Sequence, residues 1–184
     1  MEGRILEFPQ FSVVIGGAAS GKSRFSEDLV RRSGLAKVYI ATAQAFDAEM
    51  HRKIDDHKAA RIGKGWRTVE APQQLNIPIA QLELGEIALL DCATLWLSNL
   101  MLSDMDWRHE ADILFDTIEN AEAPVVIVTN ETGYGIVPEN ALARSFRQAQ
   151  GELNQRLAAE AELVVAVMAG LPIVLKGTAP AGAV

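Results

Sequence analysis

Phe11-Ser12-Val13-Val14-Ile15 is followed directly by Gly16-Gly17-Ala18-Ala19-Ser20-Gly21-Lys22-Ser23 and then by Arg24-Phe25-Ser26-Glu27-Asp28-Leu29-Val30. The first segment is a short apolar run of the kind that forms a buried strand, and the last has the apolar spacing of an opening helix. The middle segment fits the pattern G-x-x-x-x-G-K-[ST]. Glycines there let the backbone turn tightly, so that successive N–H groups converge on an anion. The helix N-terminus adds partial positive charge, Lys22 reaches the β/γ-phosphates, and the Ser23 hydroxyl is placed to ligate Mg²⁺. A glycine-rich turn that merely joins strand to helix is the plainer alternative. The intact strand–loop–helix context favours a triphosphate cradle over it.

The rest of the chain repeats this alternation of short apolar runs and longer amphipathic stretches. That pattern predicts an α/β fold: a mostly parallel sheet flanked by helices on both faces. Strands are expected at Phe11–Ile15, Lys37–Ala41, Trp66–Val69, Glu86–Leu90, Pro124–Thr129 and Glu162–Met168. Ile173–Lys176 follows Gly170-Leu171-Pro172 and is expected to close an antiparallel edge hairpin at the C-terminal end. Helices are expected at Lys22–Ser33, Phe46–Arg61, Ala93–Leu102, Trp107–Ala121 and Pro138–Ala161, with Pro138 in a first turn where its missing N–H has no partner to lose.

With 184 residues, the chain is expected to form one domain with frayed ends at 1–10 and 178–184. A net charge of −7 argues against nucleic-acid partners and requires any positive charge around a triphosphate to be local. The longest apolar run, Leu163 to Leu175, is interrupted by Gly170 and Pro172, so no membrane insertion is expected. The single cysteine, Cys92, sits in an apolar segment and reads as a small core residue. With no signal-peptide pattern at the start, a cytoplasmic location is expected.

A phosphate loop needs a carboxylate near its metal. Glu86-Ile87-Ala88-Leu89-Leu90-Asp91 supplies one at the end of a buried strand, in the crevice where open parallel sheets bind ligands. Asp91 is the expected Mg²⁺ partner alongside Ser23, although an Asp here also suits the cap of the helix that follows. Further along, Phe46, Met50, Ile54 and His57 recur at helical spacing, with His57 within about 60° of the other three. A histidine on an apolar face is usually packed core. Lys58 and Arg61 beside it suit a phosphate better, and a neutral imidazole is a competent nucleophile at phosphorus. His51 and His109 read as surface residues.

These segments resemble the bifunctional adenosylcobinamide kinase/adenosylcobinamide-phosphate guanylyltransferase family of cobalamin biosynthesis. The likeness is carried by the phosphate loop, Tyr39-Ile40-Ala41-Thr42-Ala43-Gln44, Asp47-Ala48-Glu49-Met50 with Ile54 and His57-Lys58, Trp66-Arg67-Thr68-Val69-Glu70, Leu89-Leu90-Asp91-Cys92, the block Val128 to Asn140, and Asn154-Gln155-Arg156-Leu157. The resemblance implies a RecA-like P-loop fold, a homotrimer, and a guanylyl-histidine intermediate on His57, with Lys22 as the second catalytic residue. It carries nucleotide contacts onto Gly16, Gly17, Ala18, Ala19, Ser20, Gly21, Lys22 and Ser23, onto Thr42, Ala43 and Gln44, onto Lys58, Ala59, Ala60 and Arg61, and onto Glu70 and Asp91. The implied substrates are GTP and/or ATP, adenosylcobinamide and its phosphate. Three positions depart from relatives: Ala19 stands where arginine is common, Asp91 where some have glutamate, and His57 is single where some have two in tandem. The nearest rival is a plain small-molecule kinase with His57 in the core. A GTP-binding switch is disfavoured because Asn130-Glu131-Thr132-Gly133 lacks the lysine and aspartate of N-K-x-D.

Overall fold

A computed structural model describes residues 8–44, 52, 59, 61 and 63–183. Seven strands form one sheet: β1 (Phe11–Gly16), β2 (Ala36–Ala41), β3 (Trp66–Glu70), β4 (Glu86–Asp91), β5 (Val125–Asn130), β6 (Leu163–Met168) and β7 (Leu171–Lys176). Five helices are described: α1 (Lys22–Arg32), α2 (Asn76–Ala80), α3 (Ala93–Leu102), α4 (Trp107–Glu119) and α5 (Ala141–Glu160). The strand order is β3-β2-β4-β5-β1-β6-β7, with every neighbouring pair parallel except β6–β7. The parallel strands β1, β4, β5 and β6 are near-continuous apolar runs because both faces are covered, whereas the edge strand β3 is polar and largely exposed.

Two clusters divide the core. On one face α1 brings Leu29 and Val30 onto Val14, Tyr39, Leu89, Val128 and Val165. On the other, α3, α4 and α5 contribute Leu97, Leu114, Leu153 and Leu157 to a larger cluster with Val13, Ile40, Leu90 and Ile127. Each such aliphatic side chain contributes about 1.5–3 kcal/mol when fully buried.

The expected strands and the antiparallel C-terminal hairpin are present. Its connection is the pair Ala169-Gly170, both at positive φ (53° and 79°), the geometry that matches strand twist in a two-residue hairpin. β7 starts at Leu171, two residues before the expected Ile173, and Pro172 is accommodated because β7 is an edge strand. The last helix begins at Ala141, not Pro138. Asn140 caps it, its side-chain oxygen accepting from the N–H groups of Leu142 and Ala143 at 2.8 and 3.2 Å, so the side-chain cap and not the proline sets the start. The short helix α2 has no counterpart among the sequence-based expectations, since five residues around Pro78 show no helical periodicity. Most of the expected helix 46–61 lies outside the described residues; Arg52, Ala59 and Arg61 within it have helical backbone. Phe8, Ala179 and Ala183 pack against the α1-side cluster.

Candidate functional site

Because β1 to β6 run parallel, their carboxyl ends meet at one edge of the sheet, and the phosphate loop leaves β1 there. Gly16 has no room for a side chain: a Cβ would lie 2.5 Å from Ser20 Oγ and 2.6 Å from the Val167 carbonyl oxygen. Gly21, at φ 94°, is the residue before α1, and a Cβ on it would meet Gly170 Cα at 3.2 Å. Neighbouring strands brace the loop from both sides. Gly170 N donates to Ser20 O at 2.8 Å, and Glu131 N donates to Gly16 O at 3.1 Å. The first turn of α1 has neither a side-chain cap nor an acidic residue, which leaves its amides and dipole to an anion. Lys22 folds over the loop, its Nζ donating to Gly17 O at 3.1 Å. Ala18 and Ala19 are exposed, with Ala19 at φ 55°.

Asp91 ends β4. Its neighbour Leu89 is buried in the α1-side cluster, and the two-residue period of a strand puts Asp91 on that same face. One strand, β5, lies between β4 and β1, so the Asp91 strand is about 10 Å from the loop strand. The Tyr39 hydroxyl donates to Asp91 Oδ2 at 2.8 Å, and the Arg61 guanidinium carbon lies 3.4 Å from the centre of the Tyr39 ring. Burial, then the Asp91 carboxylate, pushes the Tyr39 phenol far above its ordinary range against the opposing pull of Arg61, so the hydroxyl stays protonated as a donor. Arg61 is itself buried, and its Nε and Nη1 have no hydrogen-bond partner among the described residues. Cations pair over aromatic faces, and a buried guanidinium with spare donors is suited to a phosphate.

Thr42 is fully buried, and its hydroxyl is engaged with the Cys92 backbone at both N and O, each at 2.8 Å. Its carbonyl accepts from Asn99 Nδ2 at 2.8 Å, and its N–H donates to Asp91 O at 3.3 Å. Thr42 therefore holds the segment after Asp91 in place. Ala43 and Gln44 are half-buried beside it. Ser23 is half-buried in the first turn of α1. Glu70 ends β3, four strands from β1 and hence about 19 Å away along the sheet, so a contact from it falls well away from the loop. Ala59 is exposed, while His57, Lys58, Ala60 and His51 lie outside the described residues. His109 is exposed, as expected. Cys92 is buried, and burial, followed by the Asp91 charge, pushes its thiol up to about 11, as befits a core residue.

A buried polar network has no signature in the sequence. Behind β5, Thr129 donates to Asn154 Oδ1 at 2.8 Å, Gln150 Nε2 bonds both Thr129 Oγ1 (3.0 Å) and Asn154 Oδ1 (2.8 Å), and Asn154 Nδ2 donates to Asn130 O at 3.0 Å. Asn130 N in turn donates to Thr94 Oγ1 at 2.8 Å. Gln150 and Asn154 lie one helical turn apart on α5, but only the packing of α5 on β5 reveals what that spacing serves.

The sheet order, the braced loop and the strand-end aspartate define a RecA-like P-loop nucleotide-binding protein. The fold likeness extends to the flagellar accessory protein FlaH from Methanocaldococcus jannaschii (TM-score 0.52, 10% identity, 91% of this chain and 78% of that one) and to the structure of PH0250 from Pyrococcus horikoshii OT3 (TM-score 0.54, 12% identity, 94% and 89%). A family model described as CobU, cobinamide kinase / cobinamide phosphate guanyltransferase, matches residues 12–175. The bifunctional adenosylcobalamin biosynthesis protein CobP of Pseudomonas aeruginosa is 44% identical over 168 residues, covering 90% of this chain and 96% of that protein. The protein of that function named CobU in Escherichia coli is 41% identical over 180 residues, covering 89% and 98%. The chain belongs to the cobinamide kinase / cobinamide phosphate guanyltransferase family.

Proposed function

We propose that the protein phosphorylates adenosylcobinamide and then converts the phosphate to adenosylcobinamide-GDP with GMP taken from GTP. In the first reaction the substrate hydroxyl oxygen bonds to the γ-phosphorus of GTP or ATP, the bond to the β–γ bridging oxygen breaks, and the nucleoside diphosphate leaves. The hydroxyl proton passes to solvent. Loop amides and Lys22 offset the phosphate charge throughout. In the second reaction a neutral His57 ring nitrogen bonds to the α-phosphorus and pyrophosphate leaves. A phosphate oxygen of the phosphorylated cobinamide then displaces the histidine, forming the diphosphate and restoring the imidazole. The braced loop, with Asp91 facing the same side of the sheet, is the observation that carries this reading, together with membership of the family.

The oxygen donors Ser23 and Asp91 suit Mg²⁺, a hard cation that keeps several waters and phosphate oxygens as ligands. Tyr39 occupies one Asp91 oxygen, and Oδ1 makes no hydrogen bond among the described residues. Bound there, the ion would neutralise charge on the phosphates. Gly16–Ser23, Thr42–Gln44, Lys58–Arg61, Glu70 and Asp91 together form the nucleotide site in this reading, with Arg61 near the phosphates. The protein acts as one domain in the cytoplasm; among the described residues no helix is long and apolar enough to cross a membrane. It acts as a homotrimer, a state supported by the apolar edge strand β7, where Leu171, Ile173 and Leu175 are exposed.

GTP labelled at the α-phosphate tests the scheme. The wild-type protein should acquire an acid-labile label that is lost in His57→Ala, while kinase turnover remains measurable. Equal loss of both activities in a folded His57→Ala protein, or no adduct in the wild type, would overturn the two-step transfer.

A further inference from the structure

The connection between β5 and α5, residues 131–140, is tied down by polar contacts yet turns apolar side chains outward. Tyr134 and Ile136 are 90% and 97% exposed, and Val137 and Leu142 further along are exposed as well. Large apolar side chains gathered on one exposed segment mark a contact surface, whereas single ones do not. The backbone contacts show why these side chains stay out. Arg147 donates to Gly133 O, and Arg144 Nη1 donates to Pro138 O at 3.0 Å and to Glu139 O. The Glu131 carboxylate accepts from Gly133 N, and Asn140 caps α5. Both arginines belong to α5, so the helix grips the loop through its carbonyls and leaves the apolar groups facing solvent.

The loop starts at the rim of the phosphate cradle. Glu131 N donates to Gly16 O at 3.1 Å, and Asn130 pairs with Gly16 in the β5–β1 register. Five residues of extended chain span at most about 18 Å, so Ile136 lies no further than that from Glu131. The other exposed apolar surface, β7, is at the sheet edge, three strands away from β5, and is the one assigned above to subunit contact. The patch on 134–137 is therefore separate from that edge and continuous with the nucleotide site. What rests on it is the molecule that meets the nucleotide there.

We propose that Tyr134, Ile136 and Val137 form the docking surface for the corrin body of adenosylcobinamide, seated so that its hydroxyl-bearing arm reaches the nucleotide on Gly16–Ser23. The proposal rests on the function proposed above. A corrin macrocycle carries methyl groups and neutral amide arms, and it is too broad to enter a turn shaped around phosphates. Its body must lie beside the cradle, with only the flexible arm inside. Apolar side chains on a fixed backbone suit such a ligand, and Arg144 and Arg147, which would otherwise attract an anion, are engaged by loop carbonyls. The corrinoid is the acceptor in both transfers, so one surface serves both.

The test is steady-state kinase kinetics of the full-length protein with adenosylcobinamide and GTP, with the oligomeric mass followed by sedimentation. Ile136→Ser and Tyr134→Ser each remove one apolar contact, and Ile136→Leu keeps it. Each serine variant should raise the KM for adenosylcobinamide about tenfold, as expected for loss of a buried apolar side chain. The KM for GTP should stay within about twofold of wild type, the mass should not change, and Ile136→Leu should behave as wild type. An unchanged corrinoid KM in both serine variants, an equal rise in both KM values, or a fall in mass, which would make the patch a contact between copies of this chain, would each overturn the docking surface. A wild-type protein that phosphorylates no adenosylcobinamide would overturn the proposed function and the docking surface together. Wild-type turnover with an unchanged corrinoid KM in the variants removes the docking surface alone.

Discussion

The Tyr39 hydroxyl donates to Asp91 Oδ2 at 2.8 Å across the β2–β4 pair, beneath the Arg61 guanidinium stacked on the Tyr39 ring. A hydrogen bond to a carboxylate contributes about 1.5–3 kcal/mol, and here it engages Oδ2 and so orients the Asp91 carboxylate. Tyr39→Phe keeps the ring and the Arg61 stack but removes the donor. Its kinase kcat should fall about tenfold with a smaller change in nucleotide KM, measured by steady-state kinetics. A kcat equal to wild type would show that Asp91 needs no orienting partner.

Gly16 and Gly17 are adjacent but should answer oppositely to alanine. At Gly16 the new Cβ meets Ser20 Oγ and the Val167 carbonyl at 2.5 and 2.6 Å, while at Gly17 nothing lies within 4 Å. Overpacking of this kind costs about 1–3 kcal/mol, and a chain of this size loses about 2–4 °C of Tm per kcal/mol. Gly16→Ala should therefore lower Tm by several degrees and weaken nucleotide binding, whereas Gly17→Ala should leave Tm unchanged in a thermal melt.

Asn154→Ala removes the acceptor used by Thr129 and Gln150 and the donor used by Asn130 O. Buried groups left without partners cost about 1–3 kcal/mol, visible as a lower urea midpoint. Because Asn154 also holds the Asn130 carbonyl at the strand end beside Gly16, nucleotide affinity should fall as well. A stability loss with nucleotide affinity unchanged would mean that the network serves folding alone.

Cys92 gives a pH-dependent expectation. Burial first, then the Asp91 charge, raises its thiol to about 11 in the folded protein, against about 8.5 for an unperturbed cysteine. The folded state binds this proton more tightly than the unfolded chain does. The stabilisation is thus fully present below about pH 8.5 and is lost as pH rises toward 11. Urea midpoints should decline over that interval in the wild type and decline less in Cys92→Ala. At neutral pH the native thiol should react with a disulfide reagent far more slowly than in urea.

Much of the architecture was legible because it is written in local pattern. Apolar runs such as Val125–Val128 announce strands buried on both faces, and Gly16 to Ser23 announces its own conformation because few other residues fit the turn. The start of α5 was misplaced for an equally local reason: Pro138 is a common first-turn residue, but Asn140 makes the cap two positions later. Much of the site was not legible. Tyr39 stood in a quoted motif without a role, because its partners Asp91 and Arg61 lie 52 and 22 residues further along the chain.

By itself the sequence determined the seven strands, four of the five described helices, the anion-binding turn and the family, since each depends on residue types at short, fixed spacing. Only the tertiary structure decided the order of the strands. That order inserts β5 between β1 and β4, sets Asn130 opposite Gly16, and carries Glu70 to the far side of the sheet. The physical reason is that a crossover in a parallel sheet is long enough to reach several neighbouring positions. The position taken is the one that buries both apolar faces and satisfies the strand-end polar groups together, a condition on the whole packed molecule.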